Sequence, residues 1–244
     1  MKTHRRLGFL LLPLTVPGCV DRQADEASRP YTAATVIQTS RGGDKLAEIA
    51  TLKFADASGT DRPLIALDPA TEFQTILGFG GSFTESTAYV LGKLSEQKRE
   101  EVIEAYFGRS GADYTLTRTH INSSDFSLGN YAYAEVPGDT RLEHFTIQED
   151  LDDIVPLIKD AMAVSGSGFR IIASPWTAPP WMKDNNAWND GSLKPELYPT
   201  WALYFSKYIR AYQEQGIDIW GVTIENEPLG NGGQWESMIF SPTS

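Results

Sequence analysis

At 244 residues the chain holds one large domain or two small ones, and 41% hydrophobic with 11% aromatic residues supply a packed core, which excludes a disordered chain. A net charge of −11 argues against a nucleic-acid partner, whose phosphate backbone calls for basic patches. The only cysteine is Cys19, so no disulfide can form within one chain.

Lys2, Arg5 and Arg6 precede a short apolar stretch, Leu7 to Val16, too short to span a bilayer. Residues 1–18 are therefore predicted to be a secretory signal. The signal ends in Val16-Pro17-Gly18-Cys19, which resembles a bacterial lipoprotein signal, where the cysteine becomes the mature N-terminus and carries lipid. Pro17 departs from that pattern, and the alternative is an ordinary signal with an incidental cysteine. Either way the expected location is secreted, periplasmic or lipid-anchored at the bacterial cell envelope. Residues 19–33 read as a polar tether. Residues 34–72 carry strand-like runs at Thr35 to Thr39, Ile49 to Phe54 and Pro63 to Leu67, separated by turn residues such as Arg41-Gly42-Gly43-Asp44.

From residue 73 the pattern changes to alternating strands and helices. Ile76 to Phe83 reads as a strand, with glycines at 78, 80 and 81 allowing a tight backbone at its end. A helix follows, best marked from Ser95, a fair N-cap, to Phe107, with Val102/Tyr106 and Ile103/Phe107 pairing at i,i+4. Tyr114 to Ile121 alternates and contains Arg118. Gln148 to Ser165 is predicted as a helix with Leu151, Ile154, Val155, Ile158, Ala161 and Met162 on one face and a kink at Pro156. Phe169 to Ser174 is a strand. A helix after Pro199 carries an aromatic stripe through Trp201, Tyr204, Tyr208 and Tyr212, read as core packing, and Gly216 stops it. Ile219 to Glu225 is the last strand. Strand–helix repetition implies a parallel sheet with helical crossovers. The expected class is α/β: residues 73–244 as the first half of a (β/α)8 barrel, in a chain that looks truncated.

The last strand ends in Asn226-Glu227-Pro228. A carboxylate where a barrel strand leaves its apolar core, beside an amide and locked by proline, suits proton transfer. The bland alternative is a solvated loop stopped by Pro228. Glu225 precedes Glu227 by two, so in a regular strand both would face one side, and spacing alone leaves Glu225 a competing acid. Arg118 either orients carboxylates at a site or makes a structural ion pair. All six tryptophans fall between 176 and 235, a distribution that suits sugar stacking but also core packing. Metal chemistry is not expected: with His4 in the signal, His120 and His144 stand far apart with no cysteine partner. No Gly-x-Ser-x-Gly element is present for an esterase, and the glycine run lacks the pattern of a nucleotide loop. No cofactor is expected.

Four segments carry a resemblance: Gly78-Phe79-Gly80-Gly81-Ser82-Phe83-Thr84-Glu85, Arg118 through Ser123-Ser124-Asp125-Phe126-Ser127, Ala173-Ser174-Pro175-Trp176-Thr177-Ala178-Pro179-Pro180-Trp181-Met182-Lys183, and Glu225-Asn226-Glu227-Pro228. In this order the chain resembles glycoside hydrolase family 30, which contains the lysosomal glucosylceramidase. The resemblance implies a (β/α)8 barrel joined to a β-sandwich side domain, to which residues 34–72 would contribute. It also implies a retaining β-glycosidase with Glu227 as acid/base and Asn226 on the sugar 2-hydroxyl. Asp125 and Trp176 would grip the glucose unit, and the nucleophile is expected beyond residue 244. The implied substrate is glucosylceramide or a related β-glucoside, with β-1,6-glucanase and β-xylosidase-type activities as family alternatives. A non-catalytic carbohydrate-binding surface lipoprotein is the reading from a different class.

Overall fold

A computed structural model describes residues 32–53, 65, 68 and 70–241. The signal-like segment, Cys19 and most of the strand-like run from Pro63 to Leu67 lie outside these residues. The chain divides into two compact units between Thr75 and Ile76.

In the first unit, β1 (Ala33–Gln38) pairs antiparallel with β2 (Ala47–Lys53), Ala33 opposite Lys53, with a bulge between Val36 and Ile37. The Asp44 carboxylate holds the connecting turn, accepting from Ser40 Oγ at 2.6 Å and Gln38 Nε2 at 2.7 Å.

The second unit is built on a parallel sheet of β3 (Leu116–Ile121), β4 (Arg170–Pro175) and β5 (Ile219–Val222), in that order. Leu116 aligns with Arg170 and Ile171 with Ile219. The predicted strand at 76–83 is not a regular strand. Residues 79–83 nevertheless run parallel to β3, with Arg118 N–H donating to Gly81 O at 3.1 Å and Phe83 N–H to Arg118 O at 2.8 Å. The approach explains Gly80, because a Cβ there would sit 1.7 Å from Leu116 O.

Among the described residues five α-helices accompany the sheet segments. Thr84 caps α1 (Glu85–Gly92) and Ser95 caps α2 (Glu96–Phe107), each side chain accepting from the backbone N–H three residues on. The helix predicted at 148–165 is two: α3 (Gln148–Leu151) and α4 (Ile154–Val164). The break falls at Asp152-Asp153, where the Asp153 carboxylate caps α4 by accepting from Ile154 N–H, and not at Pro156. Pro156 is the third residue of α4, where a missing N–H costs no helical bond. Ile154, Val155, Ile158 and Ala161 are buried as expected, whereas Met162 is 45% exposed. The last helix, α5 (Tyr198–Glu214), ends at Gly216, whose φ of +78° is the left-handed stop conformation. The aromatic stripe of α5 is core. Tyr204, Tyr208 and Tyr212 are fully buried, and Tyr133 stacks on Tyr208 at 5.7 Å and Tyr204 at 6.0 Å.

Both flanks of the parallel sheet present apolar side chains to solvent, with Phe79 at 72% exposure on one side and Trp220 at 51% on the other. No helix among the described residues is long and apolar enough to cross a membrane.

Candidate active site

The C-terminal ends of β3, β4 and β5 lie side by side, and the residues singled out in the sequence gather there. Arg118 projects from the middle of β3. Its Nε donates to Ser174 Oγ at 2.9 Å and its Nη2 to Asn226 Oδ1 at 2.8 Å, while its guanidinium lies 4.6 Å from the Trp176 ring centroid. Ser174 Oγ also accepts from Thr223 Oγ1 at 2.8 Å, so β3, β4 and the segment just after β5 are cross-tied. Arg118 makes no direct ion pair among the described residues. Burial pulls its pKa below the usual value, and the Asp125 and Glu227 carboxylates, both within its field, oppose that pull. One cation thus faces two carboxylates without neutralising either by contact.

The acid candidates separate cleanly. β5 stops at Val222, and the chain then follows β4 irregularly, with Thr223 N–H on Ala173 O and Asn226 N–H on Pro175 O. Glu227 has φ of +49°, a left-handed conformation that non-glycine residues rarely adopt. The regular-strand expectation that Glu225 and Glu227 share a face therefore fails. Glu227 is exposed at the rim, whereas Glu225 is buried with neither carboxylate oxygen hydrogen-bonded. Burial pushes the Glu225 pKa well up, opposed by the charge of Lys183. Because Asn226 Oδ1 receives the Arg118 hydrogen, its amide NH2 points away from Arg118 as a donor for a hydroxyl.

Asp125 sits at the tip of a tight turn. Ser127 N–H donates to Ser124 O at 2.9 Å and Ser124 N–H to Ser127 Oγ at 3.0 Å. Helix α1 clamps the turn, with Ser86 N–H on Phe126 O at 2.9 Å and Leu128 N–H on the Glu85 carboxylate at 2.9 Å. Trp176 is 8% exposed, and its indole N–H is buried without a partner. Of the other tryptophans, Trp201 is core, Trp220 lies outside under Arg170, and Trp181 donates to Ala134 O at 2.8 Å.

Beneath the rim lies a set of polar residues that sequence reasoning did not find. His120 is buried. Its Nε2 accepts from Glu85 N–H at 3.3 Å, so Nδ1 carries the hydrogen shared with Asn122 O at 2.6 Å. Burial lowers its pKa to about 4, and the neutral ring packs edge-on to Trp176. Asn122, left-handed at φ +64°, ties the end of β3 to the next strand's loop through Nδ2 on Thr177 O at 3.0 Å, while its Oδ1 accepts from Tyr204 OH. Lys183 is wholly buried, with Nζ donating to Thr177 Oγ1 at 2.8 Å, Trp188 O at 3.0 Å and Ser237 O at 2.8 Å. Burial brings its pKa down to about 8. Asp150, also fully buried, accepts from the hydroxyls of Tyr131, Tyr133 and Tyr212 at 2.9, 2.6 and 2.6 Å. Burial raises its pKa to about 7 in spite of those three bonds.

Among the described residues no group of three or more His, Cys, Asp or Glu is placed to hold a metal ion. A cavity of about 280 Å³ adjoins the site, lined by Arg118, His120, Ser124 and Trp176. A larger one of about 540 Å³, between α1 and α2, is lined by Val90, Ile103, Phe107 and Leu157 and holds no carboxylate, so it is not where this chemistry sits.

Carboxylates, an indole and an amide gather over the C-terminal ends of parallel strands, the position of the functional rim in (β/α) barrels. Residues 76–243 match the glycosyl hydrolase family 30 TIM-barrel domain, and the chain belongs to that family. It is 38% identical over 197 residues to the lysosomal acid glucosylceramidase of Mus musculus, covering 77% of this chain and 38% of that protein. Among solved structures, SrfJ from Salmonella typhimurium aligns with a TM-score of 0.72 at 34% identity, over 80% of this chain and 44% of that one. The endo-β1,6-glucanase BT3312 aligns with a TM-score of 0.66 at 37% identity, over 74% and 41% respectively. The chain spans less than half the length of each of these proteins.

Proposed function

We propose that the protein is a retaining β-glycosidase that hydrolyses β-glucosides by double displacement, with Glu227 as acid/base. The observation that carries this reading is the Arg118 hub, which fixes Asn226 and Trp176 directly and holds Asp125 and Glu227 in its field. In this role Glu227 protonates the leaving oxygen and later deprotonates the attacking water. Asn226 donates its amide hydrogens to the 2-hydroxyl as charge develops at the anomeric carbon. Asp125 accepts from vicinal hydroxyls, and Trp176 offers a flat apolar face. A retaining mechanism places two carboxyl groups about 5–5.5 Å apart, and Glu227 is the proposed proton donor of that pair.

The names of two relatives, a glucosylceramidase and an endo-β1,6-glucanase, put glucosylceramide and a β-1,6-glucan first among substrates. In the purified gene product, Glu227→Ala is expected to lower turnover of poor leaving groups about 10²–10⁴-fold while sparing glycosylation by activated aryl glucosides. Equal losses on both would remove Glu227 from the proton-donor role.

The short apolar run ahead of Cys19 supports placement at the cell envelope with lipid on that residue. Metabolic labelling with a fatty-acid analogue should tag the wild type and not Cys19→Ser. Equal labelling of both contradicts the anchor.

A further inference from the structure

His120 follows Arg118 by two on β3, so the two side chains project to one face of the strand, and both line the cavity beside Trp176. Arg118 bonds Asn226 at the rim, whereas His120 is 1% exposed. A buried histidine in such a place either fills the core or holds a neighbour in position. The partners of its two ring nitrogens decide between these roles.

Both nitrogens are used, in opposite senses. Nδ1–H donates to Asn122 O at 2.6 Å, and Nε2 accepts from Glu85 N–H at 3.3 Å. The second bond leaves the strand. Glu85 is the first residue of α1, where a helix offers no partner of its own for a backbone N–H. Thr84 Oγ1 serves the N–H of Thr87, and His120 serves that of Glu85. Burial, reinforced by the Arg118 charge, disfavours the imidazolium and so keeps the Nε2 lone pair available.

The first turn of α1 in turn holds the Asp125 loop. Ser86 N–H and Oγ both donate to Phe126 O, at 2.9 and 2.7 Å, and the Glu85 carboxylate accepts from Leu128 N–H at 2.9 Å. The Asp125 side chain is exposed, so its place is set by this backbone. The His120 ring also meets Trp176 edge-on, with centroids 6.4 Å apart and planes at 84°. One imidazole thus abuts the indole that follows β4 and seats the helix that carries the Asp125 turn. A binding constellation works only when its groups are held within about 0.5 Å of their productive places.

We propose that His120 is a positioning residue for the sugar-binding groups: by accepting from Glu85 N–H it seats α1, and through α1 it sets where Asp125 stands relative to Trp176. It acts through these two residues and touches no substrate itself. The inference rests on the glycosidase reading above, in which Asp125 and Trp176 bind the glucose unit.

The test pairs His120→Gln, whose side-chain oxygen reaches far enough to accept from Glu85 N–H, with His120→Asn, whose shorter amide does not. Both lack the ring, so any loss from the missing ring is common to both. On the complete, purified gene product, His120→Asn should bind 1-deoxynojirimycin, a glucose-configured inhibitor, at least about five-fold more weakly than His120→Gln. In an Asp125→Ala background the gap should shrink to within about two-fold, because the residue it acts through is gone. A second pair approaches from the donor. Glu85→Pro removes the N–H at a first helical position, where proline fits after the extended Thr84, and Glu85→Ala keeps it. Both lose the carboxylate, and the proline variant should bind the inhibitor about five-fold more weakly. The ratio of turnover between activated and poor leaving groups, set by Glu227, should be the same in every variant. A partly unfolded sample loses active sites without changing the dissociation constant of those that remain, so a packing role predicts equal constants within each pair. Equal constants, or a gap that persists without Asp125, overturn the positioning role and leave the glycosidase reading standing. A wild type that neither binds the inhibitor nor cleaves an activated β-glucoside overturns both.

Discussion

The floor and the rim of the site are made of the same residue types and are treated oppositely. On the floor, Asp150 takes three tyrosine hydroxyls, Lys183 uses three acceptors, and Asn122 is bonded at both ends of its amide. At the rim, Asp125 and Glu227 are exposed, and the Trp176 indole N–H has no partner. A buried polar group without a partner costs about 1–3 kcal/mol, so a satisfied floor holds one geometry. The exposed carboxylates of Asp125 and Glu227 are open to solvent. Glu225 breaks the pattern, being buried yet unpartnered, as are the Tyr208 hydroxyl and the Trp176 indole N–H. Of the two competing carboxylates it is the one without access to solvent-delivered substrate.

Substitution on each side breaks the comparison most directly. Asp150→Ala strands three buried hydroxyls and should lower stability by several kcal/mol at about 1–3 for each, read as a large fall in Tm. Asp150→Asn, which keeps an acceptor, should lose less. Asp125→Ala, exposed at its turn tip, should leave Tm nearly unchanged while weakening a glucose-configured inhibitor by about 1–3 kcal/mol. Equal Tm losses at positions 150 and 125 would erase the distinction between floor and rim.

A smaller effect is carried by pH. Asp150 has its pKa raised from 3.8 to about 7 and Asp153 from 3.8 to about 6, both mainly by burial. Each holds a proton in the folded state that the unfolded chain has lost, so stability present below pH 3.8 is lost as pH rises through the folded values. His120, lowered from 6.5 to about 4, works the other way and loses stability as pH falls from 6.5 to 4. Glu225, whose pKa burial also raises, acts in the same direction, so three carboxyl groups outweigh one imidazole over the shared window, and above pH 6.5 Asp150 acts without opposition from His120. Tm should therefore fall from pH 5 to pH 7.5, and Asp150→Asn should flatten that decline. A Tm that rises across this range contradicts the assignment.

The rim was more legible in the sequence than the floor, for a physical reason. Asn226-Glu227-Pro228 and Arg118 are polar residues set in apolar strand-like runs, a local contradiction visible without a fold. The aromatic stripe of α5 was legible as core, but not the convergence of Tyr212 with Tyr131 and Tyr133 on Asp150, whose partners lie 17, 19 and 62 residues away. Lys183 and His120 likewise acquire meaning only from tertiary neighbours. Two errors came from assuming regular geometry. Glu225 and Glu227 do not share a face because the backbone turns left-handed at Glu227. The helix break sits at the capping Asp153 and not at Pro156, since proline is tolerated in a first turn.

The central claim is that Glu227 is the acid/base of a retaining enzyme. It is tested by the stereochemistry of rescue: Glu227→Ala purified from the complete gene product, an activated aryl β-glucoside, and added azide. With the acid/base removed, a covalent glycosyl-enzyme should accumulate, and azide should attack it to give the β-glycosyl azide with retained configuration. An α-glycosyl azide would mark Glu227 as the nucleophile and contradict the account.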